Sequence, residues 1–524
     1  MSLALFKHTS VVGLTTLLSR VTGLARDMAY SQAFGAGSLM DAFLVAFKIP
    51  NFLRRLFAEG AFSQSFVPVI SEYKVKQGPQ EVRELVAGVQ GTLGAVLLAV
   101  TVIGVIAAPL IILLFAPGFT QQAGQYELAV EMLRWTFPYL FFISLTALFS
   151  GVLNSHGRFA LPAFTQVVMN LVMIGFALGL ATQSKNPGVT LAIGVFVAGL
   201  AQVLVQLPAV ASLGFLTWPR WRPAADGVRK VGRLMLPGIF GSSMAQVSLL
   251  LDTVIASFLM TGSIAWLYYA DRLMEFALGV FSIALATVIL PRLSAEHAAG
   301  DHQRFSATLD WSLRWVLIVV VPAAAGLLIL AGPLTATIFG YGEFGVRDIE
   351  MTRYALMAYS WGLIGFSLVK VLAPGYFARQ DTRTPVRIGL ISLAVNMFLN
   401  LAVVLPAHYA GFATPFVLLA TSTCVSAAVN AALLWRGLRQ QGVYQPAPGW
   451  WRLSLQVSLA TLAMVAVILV LDGPLEAWVA ASLSRRMAHL AVCIAAGMVV
   501  YAAVLWLLGL RPSALRTREG AARL

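Results

Sequence analysis

The sequence predicts an all-α polytopic membrane protein: about 14 transmembrane helices, forming two parallel six-helix lobes and a C-terminal pair. Three observations carry that prediction. The 524 residues are 59% hydrophobic and only 11% charged, where a soluble domain carries about 25% charge. Apolar runs long enough to cross hydrocarbon recur from one end of the chain to the other; a β-barrel would show short alternating segments instead. The two halves of the chain also echo one another at a near-constant offset.

The first two spans, 5–33 and 38–66, are apolar except for a set of charges considered below. Four cleaner runs at 86–115, 126–152, 161–182 and 189–214 complete a first group of six. A second group occupies 233–258, 263–290, 312–338, 350–374, 386–405 and 412–435, and a final pair 452–471 and 486–509. Pro50, Pro138 and Gly362 fall inside these runs and predict interrupted helices, tolerable where protein or water satisfies the freed backbone groups. The predicted division is 1–217 for an N-lobe, 218–443 for a C-lobe, and 444–524 for the last two spans and a basic tail. The N-terminal run leads straight into Arg20 and Arg26 without a small-residue cleavage site, unlike a signal peptide.

Loop charge orients the spans. One set of loops holds 23 Lys and Arg residues, among them Lys74, Arg158, Arg229, Arg314, Arg383 and Arg452; the alternate loops hold 4, Lys185, Arg347, Arg485 and Arg486. The basic set is expected on the cytoplasmic side, with both termini. The formal charge of +14 then belongs to these loops and not to a nucleic-acid surface. Cys424 and Cys493 both lie in apolar runs, so no disulfide framework follows. Trp218, Trp221, Trp450 and Trp451 read as interfacial belts.

The internal echo is specific. Pro109, Leu110, Phe115, Gly118 and Gly151 match Pro333, Leu334, Phe339, Gly342 and Gly375, each pair 224 apart. Gly37-Ser38 answers Gly262-Ser263 at 225, and Pro68, Pro162 and Gly188 answer Pro291, Pro385 and Gly411 at 223. The offset spans six helices. An even number returns the second copy to the same orientation, so the repeats are parallel, and substrate sites in such folds lie near the midplane between lobes.

The charges of the first two spans set the chemistry. A lone Arg, Lys or Asp at the bilayer centre costs roughly 2.5–3.5 kcal/mol on insertion scales, so a cationic cluster belongs in a wet cavity, which suits an anion. Asp41, Lys48 and Arg55 recur at seven-residue steps and form one stripe; Arg54 lies about 100° round, and Glu59 continues beyond Arg55. On the first span Arg20 and Asp27 share a face, and Gly23 permits a bend that brings Arg26 to the same cavity. On the eighth span Asp271, Arg272 and Glu275 lie together, with Arg272 and Glu275 placed to pair at i,i+3. The plainer alternative is that Arg54, Arg55 and Glu59 snorkel or pair at an interface. Arginine is the informative residue type: its planar fork binds phosphate oxygens bidentately and stays charged.

These residues carry a family resemblance. Ser19-Arg20-Val21, Gly23-Leu24-Ala25-Arg26-Asp27, Phe34-Gly35-Ala36-Gly37 and Asp41-Ala42-Phe43 resemble the start of the MurJ/MviN family. So do Phe47-Lys48-Ile49-Pro50-Asn51-Phe52-Leu53-Arg54-Arg55, running on through Glu59 to Gln64, and Tyr268-Tyr269-Ala270-Asp271-Arg272-Leu273-Met274-Glu275-Phe276. The family belongs to the MOP exporter superfamily, which includes MATE-like transporters. The resemblance implies a bacterial lipid II flippase of the inner membrane. Its substrate is undecaprenyl diphosphate bearing a disaccharide-pentapeptide, its surroundings are membrane lipids, and the peptidoglycan synthesis machinery is a partner. It further implies that Arg20, Arg26, Arg54 and Arg272 are central-cavity arginines, with Asp41 an acidic neighbour, and that the last two spans help form a groove for the lipid tail.

Such a protein is a transporter and not an enzyme. No GxxxxGK[ST] segment is present, so no cofactor is expected and energy comes from ion or voltage gradients or from consumption of product outside. Asp252, Asn396, Asn400 and Thr421 offer hard oxygens for a cation such as Na⁺; a polar interhelical network is the alternative. Flipping of another polyprenyl-diphosphate glycan remains open, as does MATE-like cation-coupled drug export, although a cationic cavity argues against the latter.

Overall fold

The computed structural model describes residues 3–55, 62–279 and 284–510. Among them the secondary structure is helical, without a strand. The chain divides into two compact units, Met1–Ala265 and Trp266–Leu524. The first contains α1 (Leu3–Phe34), α2 (Ser38–Arg54), α3 (Ser63–Lys76), α4 (Pro79–Ile106), α5 (Ala108–Phe115), α6 (Gln125–Thr136), α7 (Tyr139–Ser155), α8 (Ala160–Gly175), α9 (Pro187–Ser212) and α10 (Asp226–Ser257). Helix α11 (Ser263–Leu278) starts in the first unit and continues into the second. The second unit holds α12 (Ala284–Ala298), α13 (His302–Ile329), α14 (Ala331–Ile338), α15 (Val346–Phe377), α16 (Arg383–Leu399), α17 (Leu405–Tyr409), α18 (Pro415–Gln440), α19 (Trp450–Asp472), α20 (Leu475–Ala480) and α21 (Leu483–Leu507).

Among the described residues, 10 helical stretches are long and apolar enough to cross a membrane. They coincide with ten of the expected spans. The other four expected spans fall on α1, α2 with α3, α10, and α11 with α12. Helices α1 and α10 have 32 residues each, about 48 Å at ~1.5 Å per residue. Helices α3 and α12 are among those that outrun their expected apolar stretch, α3 reaching Lys76 and α12 reaching Ala298. Helical hydrogen bonds are internal and need no hydrocarbon, so polar turns extend the helix past the bilayer. In α3 the i,i+4 pair of Lys76 with Glu72 supports such a turn.

Of the three expected interruptions, one is a break. Pro138 lies between α6 and α7. Pro50 sits within an unbroken α2. Gly362 lies inside the continuous α15 and serves close packing: a Cβ there would meet Cys424 Sγ at 2.5 Å, and one at Gly365 would meet Ala428 N at 3.0 Å. Small residues let helices α15 and α18 approach where no water drives association.

The sequence echo recurs as local structure. Helix α4 gives way to α5 at Ala107, and α13 to α14 at Leu330, with Pro109 and Pro333 in the first turn after each junction. There a missing N–H costs nothing, because the first-turn donors have no helical acceptor. Helix α8 ends in a π-helical turn at Phe176–Ala181, and α16 ends in one at Asn400–Val404. The same deviation from α-geometry appears at the same repeat position.

Cores are apolar and local. In the first unit Phe62, Phe66, Phe149, Val152 and Val210 pack together, and Gly151 gives Phe66 its place, since a Cβ would lie 2.8 Å from the ring. At one edge Glu72 accepts from Lys76 and Lys230, joining α3 to α10. The Lys230 hydrogen bond, then Lys76, holds the Glu72 carboxyl below its ordinary 4.5.

Two arginines assigned to loops by the charge count are buried instead. Arg314 is fully buried in α13 and donates from Nε to Asp310 Oδ2 at 2.7 Å and from Nη2 to the Pro448 carbonyl at 2.7 Å. Asp310 Oδ1 also accepts from Tyr444 Oη (2.8 Å), Trp450 Nε1 (2.8 Å) and Ala447 N (3.2 Å). The segment before α19 is thereby fastened to α13. Burial first, and Asp310 second, raise the Tyr444 hydroxyl, so it keeps the proton it donates. Trp450 is a partner in this network and not a belt residue, whereas Trp451 is exposed. Arg486, in α21, donates to the carbonyls of Ala336 (2.7 Å), Gly340 (3.0 Å), Ala481 (2.9 Å) and Val479. Carbonyls at the end of α14 favour a cation there. Removing these two from the loop tally leaves its asymmetry intact.

Asp310→Ala strands a buried guanidinium, and we expect it to cost about 3–5 kcal/mol, read as a lower thermal unfolding midpoint of the purified protein. Glu72→Gln has a small, pH-dependent effect. The depressed carboxylate stabilises above 4.5 and loses that contribution as the pH falls through its folded value; the difference in midpoint between wild type and Glu72→Gln should be present at neutral pH and vanish in acid.

Candidate functional site

The first unit concentrates the charged side chains of α1 and α2. Helix α1 runs unbroken through Gly23. Arg20 is exposed. Arg26 is 6% exposed and Asp27 fully buried. Arg26 donates from Nη2 (2.8 Å) and Nε (3.1 Å) to the same oxygen, Asp27 Oδ1. Its Nη1 donates to Asn170 Oδ1 on α8 at 3.2 Å, and its guanidinium stands 5.5 Å over the Tyr30 ring. The charge is thus balanced by its own chain neighbour, oriented by a neutral amide and faced by an aromatic. Burial of a lone guanidinium would cost several kcal/mol; pairing and hydrogen bonding offset that cost.

On α2, Asp41 is 2% exposed. Its Oδ2 accepts from Gly262 N at 2.6 Å and its Oδ1 from Ala265 N at 2.8 Å. These are donors at the start of α11, where an anion is favoured by the orphan N–H groups and the helix dipole. Gly262 has φ +96°, a conformation that glycine adopts without strain. The structure therefore gives Asp41 a capping contact, fastening α2 to the turn before α11. Lys48 is half-buried and donates from Nζ to Thr253 Oγ1 on α10 at 2.7 Å, beside the half-buried Asp252. Arg54 and Arg55 are half-buried at the end of α2, Arg54 Nε donating to Asn51 Oδ1 at 2.8 Å. Glu59 lies outside the described residues.

In the second unit Arg272 and Glu275 form the expected i,i+3 pair at 3.3 Å, with Asp271 and Arg272 half-buried and Glu275 exposed. Asn396 and Asn400 are fully buried on α16 and its terminal π turn. Thr421 is exposed on α18, and its hydroxyl donates to Val417 O at 2.8 Å, within its own helix. The two asparagines share a buried environment that Thr421 does not.

Sequence reasoning missed Asn170, Thr253 and the Gly262–Ala265 backbone as partners. A single Asn in the apolar second half of α8 was the available signal for the first. Backbone donors leave no signal in side-chain identity.

A family model described as "Lipid II flippase MurJ" matches residues 30–489. A curated relative from Vibrio cholerae, named "Probable lipid II flippase MurJ", is 45% identical over 514 residues, covering 97% of this chain and 97% of the relative. The chain is similar to a solved structure titled "Lipid II flippase MurJ, inward closed conformation", with TM-score 0.77, 25% identity, and coverage of 94% of this chain and 97% of that one. It also shares its fold with an inward-facing MATE family transporter of the MOP superfamily, with TM-score 0.63, 15% identity, and coverage of 83% and 98%.

Because two charge-assisted hydrogen bonds rest on one carboxylate, Asp41→Ala should destabilise the protein by about 1.5–3 kcal/mol, and Asp41→Asn, which keeps one acceptor, by less. Thermal unfolding of the purified variants checks the order; an unchanged midpoint for Asp41→Ala would remove the capping role.

Proposed function

The chain belongs to the lipid II flippase MurJ family, and on that footing we propose that it carries lipid II from the cytoplasmic to the outer leaflet of the bacterial inner membrane. The observation that carries the reading is Arg26: a guanidinium held inside apolar helices, neutralised by Asp27 and oriented by Asn170. A permanently charged, bidentate donor kept in such a place suits a diphosphate. It does not suit a cationic drug.

The lipid II head group is polar and anionic and does not cross hydrocarbon unaided. In this reading Arg20, Arg26, Arg54 and Arg272 bind the diphosphate, Lys48 and Arg55 add positive potential, and the polyprenyl chain stays in lipid. Binding requires Arg26 to share or exchange its Asp27 contact for phosphate oxygens. The anion neutralises the arginines and lets alternating access proceed; without substrate, their repulsion opposes closure. The lobes of this cycle are 1–217 and 218–443, and 444–524 supplies a groove for the tail. Asp27, Glu59, Asp271 and Glu275 balance charge between substrate loads. Both termini are cytoplasmic.

Energy comes from a gradient or from use of lipid II by the peptidoglycan machinery outside. Each elementary charge moved through 100 mV is worth about 2.3 kcal/mol, enough to bias the cycle. Within the second unit the buried Asn396 and Asn400 supply hard oxygens for a candidate Na⁺ site, and the exposed, self-bonded Thr421 contributes least to it.

Two measurements test the reading. Depletion of the protein in its host should leave lipid II in the cytoplasmic leaflet. Arg→Ala at positions 20, 26, 54 or 272 should abolish flipping while the protein still inserts, with Arg→Lys partly tolerated. Normal flipping by Arg26→Ala or Arg272→Ala would overturn the assignment of that residue.

A further inference from the structure

We propose that Asn170 is the positioning residue for Arg26: it fixes α1 against α8 and aims the guanidinium without adding charge. The inference rests on the reading of Arg26 as a diphosphate ligand and goes beyond it by assigning what holds that ligand.

Asn170 is 1% exposed. Its Nδ2 donates to Ser19 O at 3.1 Å and to Thr22 Oγ1 at 3.1 Å, and its Oδ1 accepts from Arg26 Nη1 at 3.2 Å. The amide therefore has one possible orientation. Ser19 O can only accept and Arg26 can only donate, so a flipped amide would set oxygen against oxygen and N–H against N–H. The three contacts fall at positions 19, 22 and 26, one stripe of α1; Gly23 on that stripe adds no side chain. Thr22 in turn donates to Leu18 O at 2.9 Å. A directed chain of hydrogen bonds thus runs from Arg26 through Asn170 and Thr22 into the α1 backbone, each polarising the next.

The neutrality of Asn170 is the chemical point. Asp27 engages Nε and Nη2 through a single oxygen, so it neutralises the cation but meets only one side of the fork. Asn170 fixes Nη1. A carboxylate at position 170 would fix it equally well. It would also turn a neutral pair into a net negative site and repel a diphosphate. An apolar residue would leave the charge available and its direction loose. An amide alone supplies an acceptor for Arg26, two donors for α1 and no charge.

The test is a double-mutant cycle on the full chain in nanodiscs, with undecaprenyl diphosphate as the probe and the thermal midpoint recorded for every variant. We expect Asn170→Ala to weaken binding about tenfold, as loss of a hydrogen bond to a charged group does. Asn170→Asp, nearly isosteric and so retained as a folded variant, should weaken it further. In an Arg26→Ala background, Asn170→Ala should add no further loss. Equal losses in the two backgrounds would make Asn170 a packing residue and overturn the proposal, as would wild-type binding by Asn170→Asp. If Arg26→Ala weakens binding while Asn170→Ala does not, the positioning role alone fails. If Arg26→Ala leaves binding unchanged, the diphosphate reading fails, and the positioning role with it.

Discussion

The refusal of hydrocarbon to hold an unpartnered charge organises this molecule. Each buried charge described in its helices meets a partner suited to its surroundings, and the partners differ in kind. Arg26 takes the adjacent carboxylate of Asp27 and a neutral amide. Asp41 takes two backbone N–H groups at a helix start. Arg314 takes Asp310, which three further donors then surround. Arg486 takes only carbonyls and a tyrosine face. Because desolvation penalises any charge left alone, each of these contacts fixes where two chain segments meet.

That constraint separates fastening from function. The Asp310–Arg314 network lies within the second unit, and its effect is to bind the segment preceding α19 to α13. Arg26 is different in chemistry. In the proposed function its guanidinium, paired with one oxygen of Asp27 and with the neutral amide of Asn170, is the group that an incoming phosphate joins. The Arg26–Asp27 pair is neutral by itself, so an anion meets no excess of negative charge there.

The repeat gives the fold its economy. Pro109 and Pro333 mark matched helix junctions, and π turns close α8 and α16 at matched positions. These irregularities free backbone groups within membrane-spanning stretches, where protein must satisfy them. The charged residues do not follow the repeat: the α1 and α2 cluster has no full counterpart in the second half. A duplicated scaffold thus carries an unduplicated chemistry.

Hydropathy and period by themselves determined the helical class, the positions of the ten long apolar helices, the repeat and the i,i+3 pair of Arg272 with Glu275, because each of these depends on residue type and spacing along one chain segment. Charge in an apolar run also marked Arg26, Asp27 and Asp41 as exceptional. Only the tertiary structure decided what those charges do. It made Asp41 a cap on a turn 221 residues away, brought Asn170 from α8 onto α1, took Arg314, Arg486 and Trp450 out of the loops and belts to which their types assigned them, and showed that Gly362 is a packing contact and not a break. The reason is physical: a sequence reveals that a charge must find a partner, but the partner is selected by the packing of distant helices, and often it is a backbone group common to all residues.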